Sequence, residues 1–200
     1  MRFRRQPPDK PPDTTTVQRG IASMDTLFAI ETRASYRGVY RDEPVPREHL
    51  DAILAAGCAA PSGCNRQTTS FIAVDDPRLL ADLKAIVDPP IGATAPAWIL
   101  VLTRRINAYR DRCFNVQDYS AAIENMLLAI KALGYDSCWY EGHVTDEDDI
   151  GGRLAQRLGV PEPYRLICVL PVGIAADPIR QPKKLRVDQR AWYNGFGGES

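Results

Sequence analysis

Two nearly uninterrupted apolar runs, Ala97 to Thr103 and Arg165 to Val172, constrain this chain more than any other feature. Runs of this length lack the alternation of a half-exposed strand and suit strands covered on both faces. They fall far short of the ~20 residues a membrane-spanning helix needs. Between them, residues 117–133 carry Tyr119, Ile123, Met126, Leu127, Ile130 and Leu133 at helical spacing, and Gly134 follows as a stop. Covered strands need helices on both sides, so the chain reads as a sheet between helical layers.

The remaining pattern fills in this frame. Asp25 is placed to cap a short helix holding Leu27, Phe28 and Ile30. Residues 34–46 read as a loop, and 47–59 as a helix with Leu50, Ile53, Leu54 and Gly57 on one face. Ser70 to Val74 reads as a strand, and Pro77 opens a helix through Val87. Ser137 to Tyr140 reads as a short strand. Thr145 and Asp148 have the spacing of a capping box for a helix reaching Leu158, although Gly151 and Gly152 weaken it. Alternating helices and strands, taken alone, predict a parallel doubly wound sheet. Against that, no G-x-G-x-x-G follows a predicted strand and no G-x-x-x-x-G-K-[ST] occurs, so the phosphate devices of that fold are missing.

Composition narrows the function. The 200 residues carry 25 basic and 25 acidic side chains, so no overall field favours nucleic acid or a membrane surface. Five cysteines, at 58, 64, 113, 138 and 168, form no C-x-x-C pair, and His49 and His143 are far apart. No metal site is expected from that spacing. Free thiols in a reducing cytoplasm are the simplest reading, so a cytoplasmic location is expected; a redox role for Cys64 is the alternative. Residues 1–24 hold Pro7, Pro8, Pro11, Pro12 and several arginines, and read as a flexible Pro/Arg-rich extension before a single domain over 25–200. No apolar signal segment is seen there.

The chemistry concentrates in four short stretches. In Arg33-Ala34-Ser35-Tyr36-Arg37, an extended backbone would put Arg33, Ser35 and Arg37 on one side, a clamp for phosphate oxygens. In Pro61-Ser62-Gly63-Cys64-Asn65-Arg66-Gln67, two carboxamides stand two residues apart and could read the edge of a heteroaromatic ring. Glu141-Gly142 follows the strand after the long helix, and a glycine there lets backbone approach a ligand. Lys184 and Arg186 repeat the two-residue cation spacing near the end of the chain. Each stretch alone is also what a solvated loop looks like.

Together and in this order, they resemble the FMN-dependent nitroreductase family. The match runs from Arg-x-Ser-x-Arg, through Pro-Ser-x-x-Asn-x-Gln, a long helix ending in Leu-Gly, Glu-Gly, and Pro171-Val172-Gly173, to Lys-x-Arg, over about residues 25–190. The resemblance implies an α+β sandwich with a small, mostly antiparallel sheet flanked by helices, in an intertwined homodimer, in place of a parallel sheet. It implies FMN at the dimer interface. Arg33, Ala34, Ser35 and Arg37, with Lys184 and Arg186, would hold the phosphate and ribityl chain. Asn65 and Gln67 would reach the ring edge, Pro61, Ser62 and Gly63 would pack on the partner's FMN, and the Glu141-Gly142 backbone would face flavin N5. It implies ping-pong hydride transfer from NADH or NADPH to a small acceptor such as a nitroaromatic or quinone, with no side chain as acid or base. Two departures bear on the acceptor: Gln67 is followed by Thr68-Thr69 where the family commonly has Pro-Trp, and the stretch around 105–116 is short. The alternatives are a flavin enzyme of the same fold with dehalogenase-like or flavin-modifying chemistry, and a non-catalytic nucleotide-binding module.

Overall fold

All seven residues of β2 (Ala97–Thr103) are buried, because this strand lies between β1 (Thr69–Val74) and β5 (Arg165–Val172). The computed structural model describes residues 24–198, so the extension expected over 1–24 lies almost wholly outside the described residues. Both strand pairings are antiparallel, Thr69 opposite Thr103 and Ala97 opposite Val172. The parallel sheet that alternation alone predicts is therefore wrong, and the antiparallel sheet that the resemblance implies is present. The order of helices and strands does not encode strand direction; the length and path of each connection do.

The fold is α+β, with helices on both faces of the sheet. Ala97, Ile99 and Val101 point to one face, where α2 (Arg47–Cys58) and α4 (Asn115–Ala132) supply Leu50, Ile53, Ile123, Met126 and Ile130. Trp98, Leu100 and Leu102 point to the other, where α3 (Pro77–Lys84) and α5 (Ile150–Arg157) supply Leu80, Leu83 and Leu154. Each fully buried aliphatic side chain contributes ~1.5–3 kcal/mol, so this double-sided core dominates the stability. α1 (Thr26–Thr32) packs on α4, and the Asp25 carboxylate accepts from Phe28 N at 3.1 Å, as its N-cap position predicts.

Strand β5 contains one extra residue. Val101 pairs with Cys168 but Leu102 pairs with Leu166, so Ile167 is bulged. Ile167 and Cys168 consequently both belong to the α2/α4 side, whereas Leu166 and Val169 belong to the other.

Three elements differ from the sequence expectation. Residues 137–140 form no continuous strand; isolated bridges join Asp136 to Gly173, Ser137 to Ser35 and Tyr140 to Val169. The helix expected from Thr145 starts at Ile150. The Thr145 hydroxyl donates back to the Glu141 carbonyl at 3.2 Å instead of capping, and Asp149 takes the N-cap position in the left-handed region. Gly151, which argued against this helix, is what lets it dock: a Cβ there would stand 2.5 Å from the Leu166 carbonyl oxygen. The helix opened by Pro77 ends at Lys84, before Val87. A small hairpin of β3 (Asn107–Tyr109) and β4 (Arg112–Cys113) occupies the short stretch before α4. Among the described residues, no helix is long and apolar enough to cross a membrane.

Candidate functional site

Helix α4 holds two of the expected site segments, the loop at 61–67 and Glu141, through Asp118 and Tyr119. At its start, the buried Asp118 carboxylate accepts from Gly63 N at 2.7 Å and from the Thr68 hydroxyl at 2.6 Å. These bonds pin both ends of the loop that follows α2. Inside it, Gln67 N donates to the Ser62 hydroxyl oxygen at 3.0 Å. Cys64, Asn65 and Gln67 all adopt left-handed backbone, with φ of 50°, 54° and 50°. Such residues cost ~1–3 kcal/mol each and survive where surrounding bonds over-determine them. A Cβ on Gly63 would stand 2.7 Å from the Phe114 ring, so only glycine fits between that ring and the loop. The result is a stiff loop that holds Asn65 and Gln67 exposed.

One residue further along α4, the Tyr119 hydroxyl donates to Glu141 Oε1 at 2.8 Å. Trp139 Nε1 donates to Glu141 Oε2 at 2.6 Å. Burial, then the bond to Glu141, pushes the Tyr119 phenol up to about 12. Backbone bonds between Tyr140 and Val169, at 3.2 and 2.9 Å, fasten the preceding residue to β5. Gly142 lies next to this fixed carboxylate with nothing within 4 Å of where a Cβ would stand. The pair therefore presents open main chain on a rigid support. A raised phenol pKa gives a sign to the pH dependence. The Tyr119–Glu141 bond contributes stability in full below pH 10, where a free phenol titrates, and loses it as pH rises towards about 12. Between these limits the urea midpoint of the unmodified protein is expected to fall more steeply than that of Tyr119→Phe; parallel curves would show that the bond does not carry this dependence.

The third segment follows α1. Residues 33–37 are extended and alternate as expected: Ala34 and Tyr36 are buried, whereas Arg33, Ser35 and Arg37 lie on the opposite, more open side. Ala34 thus offers a ligand only its main chain. Tyr36 N donates to the Ser137 carbonyl at 2.8 Å, and Tyr36 and Tyr40 meet edge to face at 5.1 Å, which anchors the segment. Arg33 Nε lies 3.3 Å from Glu124 Oε1 on α4, but the contact is not aligned as a hydrogen bond and Nε is buried without a partner. The buried Ser137 Oγ, in the same small depression, is likewise unpartnered.

The chain after β5 returns to this segment. Ala176 N donates to the Val39 carbonyl at 2.9 Å, and the Gln181 side-chain amide reaches the Thr32 carbonyl at 2.5 Å. This path brings Gln181, two residues before Lys183, to the end of α1. Lys184 and Arg186 are exposed, and Arg186 is paired with Asp188. Among the cysteines, Cys58 and Cys64 are exposed, while burial pushes the Cys138 thiol up to about 11 and the Cys168 thiol well up.

The sequence reading missed Asp118 and the roles of Tyr119, Trp139 and Glu124. Asp118 had a legible signal: a carboxylate directly beside Tyr119 at the start of the apolar face of the longest helix. A charge there needs buried donors.

Comparison with known proteins gives a consistent result. The nitroreductase family profile matches residues 30–89 and 88–174, which include three of the four site segments but not Lys184 and Arg186. A Methanothermobacter thermautotrophicus protein named as a candidate NADH dehydrogenase/NAD(P)H nitroreductase is 33% identical over 167 residues, 82% of this chain and 84% of that one. Among solved structures, a Parabacteroides distasonis protein of the same description superposes with a TM-score of 0.73 at 29% identity, covering 86% of this chain and 98% of its own. A Bacteroides fragilis nitroreductase with bound FMN superposes with a TM-score of 0.67 at 27% identity, covering 82% and 96%.

Proposed function

The chain belongs to the nitroreductase family, and from that premise we propose that it is an FMN-dependent oxidoreductase taking hydride from NADH or NADPH and passing it to a small acceptor such as a nitroaromatic or quinone. The observation that carries this reading is the alternation at 33–37. Three polar residues share one side, and a buried guanidinium nitrogen lies there with unused hydrogen-bonding capacity. A phosphate meets that need with charge-assisted bonds.

The residues present fit FMN. Arg33, Ser35 and Arg37 would hold the phosphate, with Lys184 and Arg186 as counter-charge from the returning chain. The open Gly142 main chain, beside a carboxylate fixed by Tyr119 and Trp139, would face the ring. Asn65 and Gln67 would present their amides from the stiff loop to ring and ribityl groups, and Pro61, Ser62 and Gly63 would pack on the partner's cofactor. Bound there, FMN supplies a two-electron carrier that donor and acceptor reach in turn. The protein's part is to bind, orient and exclude water, so no side chain is assigned as acid or base.

A homodimer is part of the proposal. Leu27, Phe28 and Ile30 expose 68%, 53% and 49% of their surface on α1, and Leu185, Val187 and Phe196 expose 64%, 76% and 91% on the returning chain. Apolar clusters of this kind fit a second copy. The purified protein is expected to be a yellow dimer whose flavin absorbance bleaches anaerobically on adding NADH or NADPH. A protein that cannot be reconstituted with FMN would overturn the flavin reading; bound flavin that neither nucleotide reduces would overturn the hydride reading alone.

A further inference from the structure

A cleft of about 340 Å³ opens beside Glu141, where β2 ends and β5 begins. Its lining brings together groups that the flavin reading leaves unused. Thr103 and Arg165 are register partners across the two strands, and Arg105 follows two residues on. Neither arginine takes part in an ion pair among the described residues. The first turn of α4 enters the same wall through Asn115 and Val116. This 18-residue helix has Phe114 at its N-cap, so no side chain caps its amino end, the end where the helix dipole favours an anion. Thr103 is only 4% exposed, and its hydroxyl is buried with no partner.

Two carboxylates, Glu141 and Glu162, share the lining and weaken this field, but neither is paired with Arg105 or Arg165. Both Glu141 oxygens already accept from Tyr119 and Trp139. Asp118, in the first turn of α4, is turned to the loop that it pins. Glu162 lies on the exposed rim, as do Arg105 and Arg165. Tyr119, Ile167 and Pro163 add apolar wall. The volume is at the small end of the ~300–1,000 Å³ typical of ligand pockets, enough for one ring and its substituents but not for a dinucleotide.

We propose that this cleft binds a single-ring acceptor through a carboxylate, with Arg105, Arg165 and the amino end of α4 taking the charge and the Thr103 hydroxyl completing the hydrogen bonds. The assignment rests on the flavin reading only in that it places the ring of the acceptor next to Glu141-Gly142; the anion site itself stands on the cleft.

The test uses isosteric pairs on the protein as purified. Benzoate is expected to bind at least tenfold more tightly than benzamide in calorimetric or ligand-observed NMR titrations. In the double variant Arg105→Gln/Arg165→Gln the difference should vanish, while Arg78→Gln on α3 keeps it. In turnover, kcat/KM for 4-nitrobenzoate over 4-nitrobenzamide should drop about tenfold in the double variant, with KM for NADH and NADPH unchanged. Equal binding of benzoate and benzamide, or full benzoate affinity in the double variant, would overturn the site. A rise in KM for the nucleotides instead would assign the arginines to the donor's phosphates and overturn the acceptor role. Release of flavin by benzoate would show the cleft to be the cofactor's own and also overturn it. A protein without reducible flavin would sink the proposed function, yet the benzoate and benzamide titrations would still decide the anion site.

Discussion

Replacing Arg33 by alanine is expected to leave a folded protein that no longer retains its flavin. The fold should tolerate the change because the contact with Glu124, 3.3 Å long and poorly aligned, joins side chains that keep 25% and 46% of their surface in solvent. Pairs of this kind contribute ~0–1 kcal/mol. A guanidinium bonded to a phosphate contributes more, ~1.5–3 kcal/mol, which is roughly a ten- to hundredfold loss of affinity. The flavin-to-protein ratio after dialysis and the FMN dissociation constant from fluorescence quenching both read this change directly. Arg33→Lys keeps the charge but not the planar fork, and should fall between the two. Unchanged flavin content in Arg33→Ala would remove residues 33–37 from the phosphate site.

The second large effect is on stability. Asp118→Ala leaves a buried donor, the Thr68 hydroxyl, and a half-buried one, Gly63 N, without their acceptor. Thr68 is 1% exposed, so water does not replace the lost bond. At ~1–3 kcal/mol per unsatisfied group, the variant should lose about 2–5 kcal/mol. That is a large share of the ~5–15 kcal/mol that holds a typical domain. Asp118→Asn keeps one acceptor oxygen and should lose less. Urea unfolding measures both. A midpoint shift in Asp118→Ala corresponding to under ~0.5 kcal/mol would show that the loop is held by other means. The pinned loop also carries three left-handed residues, so its release should show as faster amide exchange over 61–68 before the core is affected.

How much of this was legible in the sequence depends on the kind of signal. β2 and β5 were readable to the residue because continuous burial leaves a continuous apolar run. α2 and α4 were readable because one-sided packing leaves a helical period. The direction of the sheet was not, since neither signal carries it; only the resemblance supplied it. The stretch 137–140 joins its neighbours by single bridges, which impose no period. The hairpin at 107–113 turns through Arg110 and Asp111, at φ of 45° and 60°, with neither the glycine nor the asparagine that usually marks such a turn. In the candidate site, the spacing of Arg33, Ser35 and Arg37 was readable because an extended segment has a fixed two-residue repeat. The supports of the site were hidden because Asp118 to Gly63 and Tyr119 to Glu141 are tertiary bonds, between partners that no local spacing links.

The bulge at Ile167 sets the face of the sheet on which Arg165 lies. Strict alternation counted back from Cys168, Leu170 and Val172 would send Leu166 towards α4 and Arg165 towards α5. The additional residue shifts the phase of the strand's first two positions, so that Leu166 joins the α3/α5 core and Arg165 joins the wall facing Tyr119. A cation therefore reaches the mouth of the cleft without any charge being pressed against the hydrophobic interior. The charge at the entrance of this cleft thus turns on the number of residues in one strand as much as on their identity, and a chain one residue shorter at this point would present a differently charged entrance on the same scaffold.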